Sequence, residues 1–414
     1  MNIEWKILMN NFKIPKIRFM NFNDKWKYKI LGEISSSIEY GLNASAKDFD
    51  GIHKYLRITD IDDSSRLFLT DKLSSPDVNF TEENYENYKL QKNALLFART
   101  GASVGKTYLY RESDGEVYYA GFLIRARLHD SYDGNFVFQQ TLTDKYKQFT
   151  EITSQRSGQP GINGKEYGNW KIGMTSYSEQ SAIGSLFRTL DDLLASYKEN
   201  LANYQSLKAT MLSKMFPKAG QTVPEIRLDG FEGEWKKDTF EPYLTESRIS
   251  GDTGLTAKKI TVKLWGKGVI EKEEKYAGSS NTQYFIRKAG QFIYSKLDFQ
   301  NQAFGIIPNE LDGYQSTLDL PTFDIQNIDP KFLLEYVMRR EFYEYQGLIA
   351  NGSRKAKRIH PEDFLDMPVR IPSFEEQQAI GSYFSNLDNL IAAHQGKISQ
   401  LETLKKKLLQ DMFI

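Results

Sequence analysis

Apolar residues recur at alternating steps of four and three along two stretches of the chain, residues 177–216 and 374–413. This spacing places them on one face of a long α-helix and is typical of a heptad seam. The two stretches align without a gap at an offset of 197 positions, and 16 of the 40 aligned residues are identical. Neither helix can bury its apolar stripe alone, so we expect the two helices to pack on each other.

A second repeat precedes the variable part of each half. Residues 14–27 recur 209 positions later as residues 223–236, with Pro, Ile, Arg, Phe, Trp and Lys at matching places. We call these two segments the openers. The chain therefore reads opener, variable body and long helix, twice, and two such copies usually pack about a pseudo-two-fold axis. We predict an α+β fold in which two mixed α/β bodies are held apart by two antiparallel coiled-coil helices.

The bodies are mixed because strand-like apolar runs alternate with clusters of Gly, Asn, Asp and Ser. Strands are predicted at 94–98, 117–128 and 290–295, and shorter helices at 135–152 and 330–349. In chain order, the predicted segments are a lead and opener (1–27), a first body (28–176), a first long helix (177–216), a linker and second opener (217–236), a second body (237–373) and a second long helix (374–414).

Composition limits the function classes. The 414 residues contain no cysteine, which excludes disulfides and thiolate metal sites and fits a reducing cytoplasm. No two of the four histidines stand at a metal-ligand spacing, so we expect no metal. The amino terminus reads as neither signal peptide nor membrane anchor, so we expect no membrane partner. Because 54 basic residues balance 54 acidic residues, DNA binding would depend on local basic patches.

Residues 101–107, Gly-Ala-Ser-Val-Gly-Lys-Thr, resemble a phosphate-binding loop, but three residues separate the glycines where that loop has four. We interpret the segment as a turn whose small residues let the backbone approach a DNA phosphate, with Arg99, Ser103 and Lys106 as donors. Clustered carboxylates of a nuclease and the glycine motif of a methyl-donor site are both missing from the sequence. We therefore predict a chain that is not an enzyme.

A polar loop that contains glycine and basic residues precedes each long helix, at residues 154–162 and 351–359. A solvated run of surface charge is one interpretation. Binding to DNA is the other, because Arg and Lys neutralise phosphates or hold guanine while Gln pairs with adenine. The candidate DNA-binding residues of these loops are Gln155, Arg156, Ser157, Gln159, Arg354, Lys355, Lys357 and Arg358, and a further basic stretch contributes Lys258, Lys259 and Lys267.

The openers, the Glu-Gln pair near the start of each long helix (Glu179-Gln180 and Glu376-Gln377) and their order resemble the specificity subunits of type I restriction–modification systems. The resemblance covers nearly the whole chain. Within the bodies, segments 54–61, 96–106, 292–298 and 303–308 resemble the target recognition domains of that family. These segments add Arg57, Tyr294 and Lys296 to the DNA-binding candidates, although Tyr294 fits a core position equally well.

This resemblance implies a non-catalytic subunit in which each recognition domain reads one part of a bipartite target in double-stranded DNA. The long helices would set the spacing and dock two methyltransferase subunits. It implies no cofactor in this chain, since S-adenosylmethionine belongs to the methyltransferase subunits, and ATP and Mg²⁺ to optional restriction subunits. Because the bodies differ, the target would be asymmetric. The alternative is a coiled-coil scaffold for protein interaction.

If the helices set the spacing, lengthening them should lengthen the spacer of the target. Four residues inserted near Lys208 would add roughly 6 Å of helix, somewhat under two base-pair steps of about 3.4 Å. We expect methylome sequencing of cells carrying the variant and its partner to show the same two half-sites with a longer gap. An unchanged gap would contradict the role of the helices as a spacer.

Overall fold

The computed structural model describes residues 5–7, 14–273, 278–349 and 358–414. The chain divides into two compact units, and each long helix begins in one unit and ends in the other. Unit 1 comprises Met1–Glu199 with Gln395–Ile414, and unit 2 comprises Asn200–His394. Among the described helices, none is long and apolar enough to cross a membrane.

Unit 1 combines one four-stranded antiparallel sheet with smaller strand pairs and short helices. Its elements are β1 (Trp5–Ile7), β2 (Ile17–Phe19), β3 (Lys27–Ile30), α1 (Leu31–Ile34), β4 (Ser35–Tyr40), β5 (Ala46–Asp48), β6 (Lys54–Leu56), β7 (Ser74–Pro76), β8 (Ala94–Ala98), β9 (Thr107–Leu109), β10 (Val117–Tyr119), β11 (Leu123–Leu128), α2 (Gly134–Gln140), α3 (Asp144–Thr153), α4 (Gly164–Gly168), β12 (Lys171–Met174) and the first part of α5 (Tyr177–Lys214).

The main sheet of unit 1 has the strand order β4-β11-β8-β9. All five residues of β8 are buried, as expected for an apolar run inside a sheet. Strand β12 pairs antiparallel with β3, so the end of the first body returns to the residues that follow the opener.

Unit 2 is built in the same order. Its elements are β13 (Lys236–Thr239), β14 (Leu244–Glu246), β15 (Ile249–Thr253), β16 (Ile260–Val262), β17 (Val269–Glu271), β18 (Gln283–Ile286), β19 (Phe292–Tyr294), β20 (Phe304–Ile306), β21 (Gln315–Ser316), β22 (Thr322–Ile325), α6 (Pro330–Met338), α7 (Arg340–Gln346), α8 (Pro361–Leu365), β23 (Pro368–Ile371) and α9 (Phe374–Asp411), whose last part belongs to unit 1.

The main sheets of the two units correspond, and so do the strand pairs that close each body. Strand order β14-β22-β19-β20 repeats β4-β11-β8-β9, and the pair β13–β23 repeats β3–β12. The internal repeat therefore extends to the bodies, where their sequences show little similarity. The predicted class of two mixed α/β domains with two long helices is confirmed.

Three of the predicted body elements are interrupted, and one of them is the helix expected at 330–349, which forms α6 and α7 on either side of the extended residue Arg339. The run 117–128 forms β10 and β11 with a turn between them, and the helix expected at 135–152 forms α2 and α3. Thr143 separates these helices because its hydroxyl caps α3, accepting a hydrogen bond from the backbone N–H of Tyr146 (3.4 Å). A cap requires the extended backbone that Thr143 adopts (ψ 158°), which breaks the helix.

Within each unit the two long helices run antiparallel. In unit 1 the Lys405 ammonium pairs with Asp191, and in unit 2 the Lys208 ammonium lies 2.7 Å from Asp388. Adding the repeat offset of 197 to residues 191 and 208 gives 388 and 405, so the two ion pairs are equivalent. The lysines that interrupt both apolar seams thus each meet an aspartate of the opposite helix.

The Glu-Gln pairs connect the start of each long helix to the opener and to the body. The Arg18 guanidinium donates two hydrogen bonds to Glu179 (2.5 and 2.7 Å), and both side chains are almost fully buried. The side chain of Gln180 accepts from the backbone N–H of Asp133 (3.1 Å), whose carboxylate caps α2. Glu179 does more than support the first helical turn, because it neutralises a buried arginine of the opener.

Unit 2 repeats this arrangement. Arg227 donates to Glu376 (2.8 and 2.7 Å), and Gln377 accepts from the backbone N–H of Asp329 (3.0 Å). The glycine of the shared Ala-Ile-Gly-Ser motif is required by this contact. A Cβ at Gly381 would come within 2.6 Å of the Asp329 carboxylate, and one at Gly184 within 2.3 Å of the Asp133 carboxylate.

The first ion pair should be worth more to stability than the second. Glu179→Ala leaves Arg18 buried without a counter-charge, which costs about 3–5 kcal/mol in such sites. Glu376→Ala should cost less, because Arg227 is partly exposed and also donates to the carbonyls of Glu232 and Gly233. Urea unfolding of both variants tests the order, and equal losses would contradict it.

A second prediction concerns Glu335, which accepts from the Lys208 ammonium (3.1 Å) where unit 1 has Gln139 beside Asp191. Burial raises the pKa of Glu335 above its ordinary value. A carboxyl group whose pKa is raised by folding lowers stability as pH rises. We therefore expect Glu335→Gln to gain stability relative to the wild type between pH 4 and pH 7 in urea unfolding. A relative loss over that range would contradict the prediction.

Candidate nucleic-acid interface

In unit 1 the two loops predicted to bind DNA lie against each other. The backbone N–H of Ile162 donates to the carbonyl of Arg99 (2.9 Å), and that of Gly101 donates to Pro160 (3.0 Å). Gly101 has φ +71°, and a Cβ there would meet the side-chain amide of Gln159 at 2.9 Å. Glycine is therefore needed at this contact, and the loop after β8 and the loop 154–162 form one surface. We call it the unit 1 junction.

Unit 2 contains the same junction. The backbone N–H of Ile359 donates to the carbonyl of Lys296 (3.1 Å), as Ile162 does to Arg99. The N–H of Lys296 donates to Asp319 (3.0 Å), as that of Arg99 does to Phe122 (3.1 Å). Each matching residue is again 197 positions along, since 99, 122 and 162 become 296, 319 and 359. A cationic residue therefore occupies the same fixed backbone position in both bodies.

Three of the predicted cationic side chains in unit 1 form ion pairs with carboxylates of the same unit. Arg57 forms two hydrogen bonds with Asp60 (2.8 and 2.9 Å), which raise the pKa of its guanidinium. The Lys106 side chain is buried, and its ammonium contacts Asp63 at 2.5 Å and the carbonyl of Ile61 at 3.0 Å. Lys106 therefore holds the loop after β8 against residues 61–63.

Arg156 belongs to the same group. Its guanidinium donates twice to Glu166 (2.6 and 2.7 Å) and also to the carbonyls of Thr153 and Gln155. These bonds fix the loop that carries three exposed polar side chains and leave Arg156 with its charge already balanced. The exposed residues are Gln155, Ser157 and Gln159, and Ser103 lies half-buried on the facing turn.

Arg99 differs from these residues. Its guanidinium lies 5.0 Å from the ring centre of Tyr40 and makes one long hydrogen bond, from Nη1 to the carbonyl of Gly121 (3.4 Å). It forms no ion pair with any carboxylate in the described part of the chain. Of the predicted cations in unit 1, Arg99 therefore retains an unbalanced charge at the junction.

In unit 2 the predicted residues fall into two sets. Tyr294 is fully buried, with its hydroxyl donating to the carbonyl of Ile359 (3.1 Å), so it supports the junction from the core and cannot touch DNA from that position. Lys259 is also buried, and its ammonium donates to the carbonyl of Gly254. Lys258 and Lys267 are exposed. The basic stretch therefore contains one lysine that is held inside the fold and two that are exposed.

Two more predicted residues of unit 2 lie at its junction. Lys296 is half-buried, and this burial lowers the pKa of its ammonium. Arg358 pairs with Asp319 at 3.5 Å, so a carboxylate sits beside both cations. Arg354, Lys355 and Lys357 lie outside the described residues.

The structure adds three exposed aromatic residues that the sequence did not indicate as candidates. In unit 1, Tyr40, whose ring lies under the Arg99 guanidinium, is 45% exposed, and Phe122, whose backbone carbonyl accepts from the N–H of Arg99, is 63% exposed. In unit 2, Trp265 is 57% exposed at φ +61° in the turn between β16 and β17. Phe122 lies within the apolar run 117–128, which reads as a strand, and Tyr40 lies outside the strands and helices predicted from the sequence. Trp265 could have been selected as a candidate from the sequence, because it lies between lysines in a turn with two glycines.

Among the described residues, no three His, Cys, Asp or Glu side chains come together in a group that could hold a metal ion. The unit 1 junction combines a cation, exposed amides and an exposed aromatic ring, and the unit 2 junction combines two cations with a carboxylate. Such groups can bind phosphates, base edges and base faces.

Comparisons with known proteins agree with this architecture. The family model of the type I restriction modification DNA specificity domain matches residues 236–403. The chain is 20% identical over 427 residues to the type I restriction enzyme MjaVIII specificity subunit of Methanocaldococcus jannaschii, covering 96% of this chain and 94% of that protein. A crystal structure of the S subunit of a type I restriction–modification system from M. genitalium is similar in fold, with a TM-score of 0.61, 14% identity, and 97% and 99% of the two chains covered.

Proposed function

We propose that this chain, which belongs to the family of specificity subunits of type I restriction–modification systems, recognises a bipartite target in double-stranded DNA. Each unit would read one half-site. The observation that carries the proposal is the repeated junction, where Arg99 and Lys296 occupy equivalent backbone positions on otherwise dissimilar bodies. A backbone frame that both units share, with different side chains on it, suits the recognition of two different DNA sequences.

The surroundings of the two cations support an asymmetric target. Arg99 lies over the exposed ring of Tyr40, whereas Lys296 lies beside the Asp319–Arg358 ion pair. An arginine fork on an aromatic ring and a lysine near a carboxylate select different partners. We therefore propose unlike half-sites for the two units.

The recognition domains are proposed to span residues 28–176 and 237–373, and the spacer helices residues 177–216 and 374–414. Residues 1–27 and 217–236 carry the openers, which Arg18 and Arg227 tie to the helix starts. Candidate DNA contacts in unit 1 are Arg99, Ser103, Gln155, Ser157 and Gln159. In unit 2 the exposed lysines Lys258 and Lys267, with Lys296 and the loop 351–359, take the equivalent role.

Subunits of this family are non-catalytic, so chemistry on DNA belongs to the proteins that this chain assembles with. We propose two methyltransferase subunits, one for each copy of the repeated helix and opener, which would supply S-adenosylmethionine. Restriction subunits using ATP and Mg²⁺ are the further proposed partners, and the cytoplasm, where such complexes meet DNA, is the proposed location.

A protein-interaction scaffold is the competing function, because long paired helices alone would serve it equally well. The unpaired guanidinium and exposed rings of the unit 1 junction favour DNA, since their chemistry matches base edges and faces. The balanced overall charge fits a protein whose DNA affinity comes from a few positions.

Exchange of one body tests the proposal. Residues 28–176 are replaced by the corresponding domain of another specificity subunit, the variant is co-expressed with its methyltransferase, and the methylome is sequenced. We expect one half-site to change while the other half-site and the spacing stay the same. A matched exchange of residues 237–373 should change only the other half-site.

Two results would contradict the proposal. If both half-sites changed after one exchange, the two bodies would not read DNA separately. If the modified sequence were independent of this chain, the chain would act as a scaffold. Binding should also weaken steeply with salt, because phosphate contacts release counterions.

A further inference from the structure

We infer that Arg99 reads a guanine in the half-site bound by unit 1, and that Tyr40 is the positioning residue that holds its guanidinium for that contact. The inference rests on the proposed function and goes beyond it, because it assigns a base to one side chain.

The first reason is the pairing state of the guanidinium. Among the predicted arginines that the structure describes, Arg57, Arg156 and Arg358 each meet a carboxylate, at 2.8, 2.6 and 3.5 Å. Arg99 meets none in the described part of the chain. A guanidinium presents five N–H donors, and Arg99 commits one of them in a long contact to the carbonyl of Gly121. Donors remain for an incoming acceptor.

The second reason is rigidity. The backbone of Arg99 is fixed on both sides, by Phe122 at its N–H and by Ile162 at its carbonyl. Its guanidinium lies over the ring of Tyr40, whose hydroxyl in turn accepts from the backbone N–H of Gly164 (3.1 Å). Stacking on an aromatic face orients the plane of an arginine. Discrimination between bases needs such preorganisation, whereas attraction to a phosphate does not.

The third reason is the neighbouring apolar surface. Phe122 is 63% exposed, and it is a neighbour of Arg99 because its backbone carbonyl accepts the hydrogen bond from the N–H of Arg99. A phosphate offers nothing apolar to such a ring, but a base edge in the major groove does, through the methyl group of thymine. Arg99 and Phe122 together therefore fit a base edge better than the DNA backbone. A fork of two N–H groups matches O6 and N7 of guanine.

The test measures base preference position by position. The complete chain is co-expressed with its methyltransferase, and binding is measured on duplexes in which each position of both half-sites carries all four base pairs. The wild type should prefer G·C over the other pairs at one position of the unit 1 half-site. Bidentate arginine contacts give about a tenfold to hundredfold preference.

Arg99→Gln should abolish that preference and leave all other positions unchanged. Arg99→Lys should also lose most of it, because a lysine keeps the charge but lacks the planar fork. The unit 2 half-site serves as an internal measure of folding, since its preferences should persist in both variants. Arg111→Gln is the matched control, because it removes one charge of unit 1 that pairs with Asp192 (3.3 Å) and should leave the target sequence unchanged.

The positioning role of Tyr40 has its own pair of variants. Tyr40→Phe keeps the ring beneath Arg99 and should retain at least half of the guanine preference on a logarithmic scale. Tyr40→Leu removes the aromatic face and should reduce the preference at the same G·C pair, and only there. Equal preferences in the two variants would remove Tyr40 from the mechanism.

Three outcomes would overturn the reading of guanine by Arg99. The first is a wild-type unit 1 half-site without a required G·C pair. The second is a uniform loss of affinity for all sequences in Arg99→Gln together with a shallower salt dependence, which would make Arg99 a phosphate contact. The third is an unchanged preference in that variant. In all three the wild type still binds a bipartite site, whereas failure of the proposed function would appear as no sequence-selective binding by the wild-type complex.

Discussion

A buried ion pair at the start of each long helix is the interaction on which the rest of the structure depends. The Arg18–Glu179 pair joins the opener to the helix across 161 residues of chain. The adjacent Gln180 fixes Asp133, which caps α2 of the body. A buried arginine requires a counter-charge, so opener, helix and body must come together at one point. Unit 2 repeats the same connection, with the partly exposed Arg227 pairing with the buried Glu376.

This arrangement separates the frame that the two units share from the surface in which they differ. The ion pair, the cap and the strand pairs β3–β12 and β13–β23 define where a body begins and ends. Inside that frame, the backbone positions of Arg99 and Lys296 are fixed by equivalent hydrogen bonds that do not involve their side chains. Side chains can therefore change at the junction without altering the backbone that presents them. A frame of this kind allows recognition to diverge between two halves that keep one fold.

The sequence predicted those features of the fold that appear as periodic or repeated patterns along the chain. Both long helices, their common seam and the mixed character of the bodies follow from patterns along the chain. The role of Glu179 did not, because its partner Arg18 is distant in sequence and the helix dipole gave a sufficient local reason for an acidic residue. The shared strand order of the two main sheets was not predicted, since a sheet order is kept by backbone hydrogen bonds while the side chains differ.

The charged residues of the candidate site show the same limit of prediction from sequence. Sequence composition counts cations, but a cation is available to a ligand only if no carboxylate of the fold has already paired with it. Arg156 was predicted from the composition of its loop, yet Glu166, ten residues later, accepts two of its hydrogen bonds and balances its charge. Arg99 was predicted on weaker grounds and remains without such a partner among the described residues. In a chain with equal numbers of acidic and basic residues, the pattern of internal pairing therefore decides where DNA can be bound.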